Sequence, residues 1–88
     1  MPSIHKINDS TFDVTVNETV ETHHKVHLND AYQHELTGGN ASKEELIRAS
    51  FEFLLARESN SMILSEFELS TINAYFPSFE IEMKNRFR

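Results

Sequence analysis

The stretch Ser42-Lys43-Glu44-Glu45-Leu46-Ile47-Arg48-Ala49-Ser50-Phe51-Glu52-Phe53-Leu54-Leu55-Ala56-Arg57 decides how the rest of the chain is arranged. It opens on a capping box. The Ser42 hydroxyl can accept the N–H of the third helical residue while the Glu45 carboxylate reaches back to the Ser42 N–H. The spacing predicts a helix over 43–57. At about 100° per residue, Leu46, Ile47, Ala49, Phe51, Phe53, Leu54 and Leu55 cover roughly 240° of its circumference. Glu45, Arg48 and Glu52 keep only a narrow polar sector. A helix resting on a surface needs an apolar stripe of just about 100°. This one therefore has structure on two sides, or structure on one side and a partner on the other, and it is the expected centre of the molecule.

Upstream of it the period is two. Thr11 to Asn17 sends Phe12, Val14 and Val16 one way and Thr11, Asp13 and Thr15 the other. Ser3 to Ile7 gives a weaker first strand, with Ile4 and Lys6 on one side and His5 and Ile7 on the other. Asn8-Asp9-Ser10 between them suits a tight turn, because Asn and Asp tolerate left-handed backbone angles. From Val20 to Leu28 the alternation returns: Val20, Thr22, His24, Val26 and Leu28 share one face, and Glu21, His23, Lys25 and His27 the other. A sheet covered on one side and wet on the other fits an antiparallel meander.

The period changes at Asn29. Asn29 or Asp30 can cap a short helix in which Tyr32 and Leu36 meet on one face. Both glycines of the chain then fall together in Thr37-Gly38-Gly39-Asn40, a chain break. Downstream of the main helix, Ser59-Asn60-Ser61 reads as a link and cap before a short turn carrying Met62, Ile63, Leu64 and Phe67. Ser70 can cap another short helix presenting Ile72, Tyr75 and Phe76, which Pro77 ends. Phe79, Met83 and Phe87 form a final i, i+4, i+8 stripe. There Glu80 and Glu82 come early and Lys84, Arg86 and Arg88 late, the order that complements the helix dipole.

These elements sit in 88 residues, which suffices for one domain and is too short for two independent cores. Apolar residues make up 39%, enough for a core and outside the composition of disorder. Cysteine is absent, which excludes disulfides and thiolate metal sites. The net charge of −6 fits a nucleic-acid backbone poorly, since such surfaces recruit Lys and Arg. No apolar run approaches the roughly 20 residues of a membrane helix, and no signal peptide is visible. The expectation is a cytoplasmic protein without nucleic-acid or membrane partners. On that expectation the triplets at Asn8, Asn17 and Asn40 are turn and cap chemistry rather than glycosylation acceptors.

Five histidines, four of them between His23 and His34, raise the question of a metal. On a strand, His23 and His27 stand about 13 Å apart, too far to share one ion. His24 points to the opposite face, among apolar residues, where it reads as a core imidazole or a pH-sensitive contact. Protonating all five rings would carry the charge from −6 to about −1, which predicts association at mildly acidic pH. Enzyme templates fail: Gly38-Gly39 lacks the flanking strand and further glycines of a phosphate loop, and no Gly-x-Ser-x-Gly elbow occurs. No catalytic residue and no cofactor is expected. Arg57 and Glu58 fall within the broad apolar arc of the main helix. They read as a helix-end pair whose Arg binds carbonyls or a carboxylate, or as partner contacts. The seven phenylalanines, most of them between positions 51 and 87, read mainly as core. An uncovered part of that surface, with Phe79 and Phe87 as candidates, would mark an interaction site.

The string Ser50-Phe51-Glu52-Phe53-Leu54-Leu55-Ala56-Arg57-Glu58, followed by Ile63-Leu64, Phe67, Ile72, Tyr75, Phe76 and Pro77, resembles a small family of uncharacterised bacterial proteins. His24-x-Val26-x-Leu28 and Leu36-Thr37-Gly38-Gly39 are similar to it as well, so the likeness spans about residues 20–82. It implies a compact bacterial domain and brings no catalytic or binding residue with it. The chain thus reads as one α+β domain. An N-terminal antiparallel meander of two to three strands precedes three to four short helices packed on one face. The expected function is non-enzymatic: binding a protein partner, or self-associating as a homo-oligomer, through the sheet edge or the Phe-rich helical surface. The alternative is a small-ligand or metal-binding protein using the His23–His34 region.

Overall fold

The computed structural model describes residues 2–88 and has an α+β architecture. The alternating N-terminal segment forms β1 (Ser3–Asn8), β2 (Thr11–Asn17) and β3 (Glu21–His27), an antiparallel meander. Register follows from the alternation. Phe12 lies opposite Val26, Val14 opposite His24 and Val16 opposite Thr22, so one face collects the apolar side chains. Phe12, Val14, Val16 and Val26 are completely buried. The opposite face carries Asp13, His23, Lys25 and other exposed polar groups. The first turn forms without the expected left-handed residue; instead Asn8 Oδ1 accepts the Ser10 N–H at 3.0 Å and closes it. Val20 departs from the expected apolar face: it precedes β3, lies in the turn and is exposed.

A fourth strand, β4 (Glu66–Glu68), pairs in parallel with β3 and gives the order β1-β2-β3-β4. The sequence reading expects only a turn here. Three residues are too few to display a period, and what makes them a strand is the partner. Phe67 sits opposite Val26, Lys25 N–H donates to the Ser65 carbonyl at 2.8 Å, and Leu69 N–H donates to the His27 carbonyl at 2.9 Å.

Between β3 and β4 run two helices. α1 (Asp30–Thr37) starts where Asn29 Oδ1 accepts the Tyr32 N–H at 2.7 Å. It stops at Gly38, whose left-handed φ of 61° a side chain would strain. α2 (Lys43–Leu55) has both hydrogen bonds of the Ser42–Glu45 capping box. It ends at Leu55, two residues before the expected boundary, so Arg57 and Glu58 lie beyond it.

The two-sided burial of α2 is supplied by the chain itself. Phe51 and Phe53, about 200° apart on the helix, face different partners. Phe51 stacks on the sheet side with His24 and Phe67, at centroid distances of 5.6 and 6.2 Å. Phe53 meets Phe76 and Phe79 edge-on, at 6.0 and 5.3 Å. Those last two residues flank Pro77, between α3 (Thr71–Tyr75) and α4 (Phe79–Phe87). α4 lays Phe79 and Met83 into the core and packs against α1 and α2. The expected Ser70 cap does not form, because Ser70 already has helical backbone angles. Asn73 does the more useful work there, accepting the Glu80 N–H at 3.1 Å and tying α3 to the first turn of α4. Among the described residues no helix is long and apolar enough to cross a membrane.

Candidate functional site

The open feature of the surface is an apolar groove where α2 ends. A 3-10 turn (Asn60–Met62) and the segment leading into β4 form one wall, and α3 forms the other. The groove holds a cavity of about 270 Å³, lined chiefly by Leu54, Ile63, Phe67, Ile72 and Phe76, with Glu58 as its one charged residue. Its apolar surface continues outward. Met62, Leu64 and Tyr75 also line it and are 69%, 46% and 66% exposed.

The wall is fixed by a buried polar chain that starts from the sheet. His24 is almost fully buried, and its Nδ1 lies 2.7 Å from the Leu64 carbonyl. A carbonyl only accepts, so Nδ1 carries the proton, and in the neutral ring Nε2 then accepts from the Thr22 hydroxyl at 2.9 Å. Thr22 Oγ1 in turn accepts from Asn60 Nδ2 at 2.9 Å, and Asn60 Nδ2 also donates to the Val20 carbonyl at 2.8 Å. Thus His24 and Asn60 grip the 60–64 segment from both ends. His24 lies in the core with both ring nitrogens hydrogen-bonded, and it bears on the groove through Leu64.

The other candidates separate. Arg57 takes the structural role open to it. Its guanidinium donates to the Phe53 carbonyl and to Glu82, both at 2.9 Å, and stacks 3.6 Å over the Phe53 ring. Its neighbour Glu58 lines the groove instead, and among the described residues its carboxylate makes no hydrogen bond or ion pair. Phe79 is a correction to the expectation of an interaction surface: it is completely buried against Phe53 and offers nothing to a partner. Phe87 is partly covered and packs on the core edge, where its carbonyl accepts from Asn40.

Ion pairs join α4 to its neighbours, although Ile81 on the same helix is exposed. Arg57–Glu82 at 2.9 Å, Arg86–Glu52 at 3.0 Å and Lys84–Glu35 at 3.6 Å bridge neighbouring elements. Under them, Tyr32 donates to Glu80 at 2.8 Å. Burial first, and then that carboxylate, holds the Tyr32 phenol well above the usual tyrosine range. Lys43 binds the Asp30 carboxylate and the Asp9 carbonyl. It lowers the Asp30 carboxyl, and thereby ties α2 to α1 and to the first turn.

The histidines of the outer sheet face spread along it. His23 meets Glu21 at 3.1 Å and Thr15 at 3.1 Å. His27 Nε2 donates to Glu66 at 2.7 Å across the β3–β4 pair, and that hydrogen bond holds the Glu66 carboxyl below its ordinary value. Among the described residues, no three His, Asp or Glu side chains converge on a point where an ion could sit.

The groove was not readable as such from the chain. Its walls come from three segments that the fold joins, and only the exposed apolar residues Met62, Leu64 and Tyr75 hint at it. No family model, curated protein or solved structure matches the sequence.

Proposed function

We propose that this chain is a non-enzymatic interaction domain that binds a protein partner through the groove at the end of α2. One observation carries the reading. The cavity opens onto the exposed side chains of Met62, Leu64 and Tyr75, so that an apolar patch and a recess are continuous. Such a patch is the mark of an interaction site on a small domain. Apart from Glu58, Thr71 and Tyr75 its lining is apolar, which favours an apolar anchor. At about 270 Å³ the recess also lies just below the usual range for small-molecule sites. That size suits one or two anchoring side chains, the residues that dominate protein interfaces.

The test is a paired pull-down from lysate with the wild-type chain and a Met62→Glu/Tyr75→Glu variant as baits. Both positions are exposed, so the variant keeps its fold, checked by its amide spectrum. A protein retained by the wild type and lost by the variant supports the reading. Identical capture by the two baits rejects it.

A further inference from the structure

The groove lies in a part of the chain with a one-sided charge. From residue 58 to residue 83 there are five glutamates (58, 66, 68, 80 and 82) and no Lys, Arg or His. Three of the five are answered from elsewhere: Glu66 by His27, Glu80 by the Tyr32 hydroxyl and Glu82 by Arg57. Glu58 and Glu68 have no such partner among the described residues, and Glu58 is the one that lines the groove. The nearest guanidinium in sequence, Arg57, is fully engaged with Phe53 and Glu82 and is not available to it. An unanswered carboxylate in an apolar recess is a specificity element: it favours a cation beside the apolar group and disfavours an anion.

Resting on the groove reading above, we infer that the occupant is a short protein segment presenting an apolar anchor side chain flanked by Lys or Arg. The anchor fills the recess between Ile63, Phe67, Ile72 and Phe76, and the cation pairs with Glu58. The cation adds selectivity more than strength. An exposed or half-exposed ion pair favours binding by at most about five-fold, and most of the affinity comes from the anchor.

The experiment pans a random 12-residue displayed peptide library on the full chain, counter-selected on the uncharged variant Met62→Ser. The recovered peptides are then titrated against the wild type and Glu58→Gln, reading the methyl signals of Ile63, Ile72 and Met62. Benzyl alcohol serves as an uncharged probe of the groove. The expected result is peptides with an aromatic or aliphatic anchor next to Lys or Arg. Their affinity falls about five-fold in Glu58→Gln, whereas benzyl alcohol shifts the same methyls equally in both proteins. Groove-binding peptides without basic residues, or with an unchanged affinity in Glu58→Gln, overturn the charge assignment and leave the groove reading standing. Benzyl alcohol shifts with no recovered peptide overturn a segment as the occupant. Absence of both peptide and benzyl alcohol binding removes the groove reading itself.

Discussion

The two flanks of α2 beyond the sheet are built from similar material and finished differently. On the α4 flank, Phe79 and Met83 are buried, Arg57, Arg86 and Lys84 each reach a glutamate on a neighbouring element, and Ile81 alone of the large apolar residues of α4 stays exposed. On the α3 flank, Phe76, Ile72 and Phe67 are laid against the same helix, yet Met62, Leu64 and Tyr75 stay in water. The difference is the supply of cations. Arg and Lys cover apolar surface with their stems while their charged ends remain hydrated, and the chain places none between Arg57 and Lys84. Apolar content alone therefore does not decide which surface is closed; the residues at the rim do.

The strongest way to break the comparison is to empty the closed flank. Phe79→Ala should cost about 3–5 kcal/mol, as for other buried aromatic deletions. In so small a domain that removes much of the folding free energy, and it should appear as a large drop in the urea midpoint. Next comes the buried polar chain behind the groove wall. His24→Phe keeps an aromatic ring, though a larger one, and leaves the Leu64 carbonyl and the Thr22 hydroxyl without their partner, a loss of about 1–3 kcal/mol. The same measurement should show it, together with shifted amide signals over residues 60–65. Opening the lid of the closed flank is milder: Arg57→Met should cost about 1 kcal/mol or less, since its ion pair is partly exposed. Met62→Glu on the open flank should change stability by less than about 0.5 kcal/mol. A larger loss at Met62 than at Arg57 would contradict the distinction between the flanks.

Acid tests the seam between sheet and groove. The Glu66 carboxyl is lowered in the folded chain by its hydrogen bond from His27. The unfolded chain therefore takes up its proton at a higher pH than the folded one. Its contribution is present above the unfolded value and is lost as pH falls through the folded value. Glu66→Gln should lose that acid-dependent part of the urea midpoint between pH 7 and pH 3 and keep the rest. An unchanged pH profile would mean that the His27–Glu66 pair adds nothing in solution.

Much of the fold can be read from the sequence wherever one residue type repeats at one spacing. β2 runs over Thr11–Asn17 as its alternation requires, and Ser42 and Glu45 form the box that their spacing announces. The two-sided helix is equally legible, because 240° of apolar surface has few other uses. β4 is not, since its pairing depends on where β3 lies and not on its own three residues. Phe79 was open to both core and surface readings, and only the packing of α4 on α2 chooses between them. At the groove, the wheel marked Glu58 as unusual, but helix α2 stops before it. What makes it stand out in the structure is that the turn aims it at a recess while Arg57 is engaged by its own helix end.

The parallel pairing of β4 has a consequence in time as well as in space. Its contacts with β3 join residues about forty positions apart, with both α1 and α2 in the intervening chain. Such a closure loses loop entropy before any contact repays it, so it forms after the local hairpins and helices. A three-residue strand on the sheet edge is also easy to release. The β3–β4 seam should therefore assemble after the hairpins and open more readily than the β2–β3 pair. In hydrogen exchange the Lys25 and Leu69 amides that bond across this seam should exchange ahead of those joining β2 to β3.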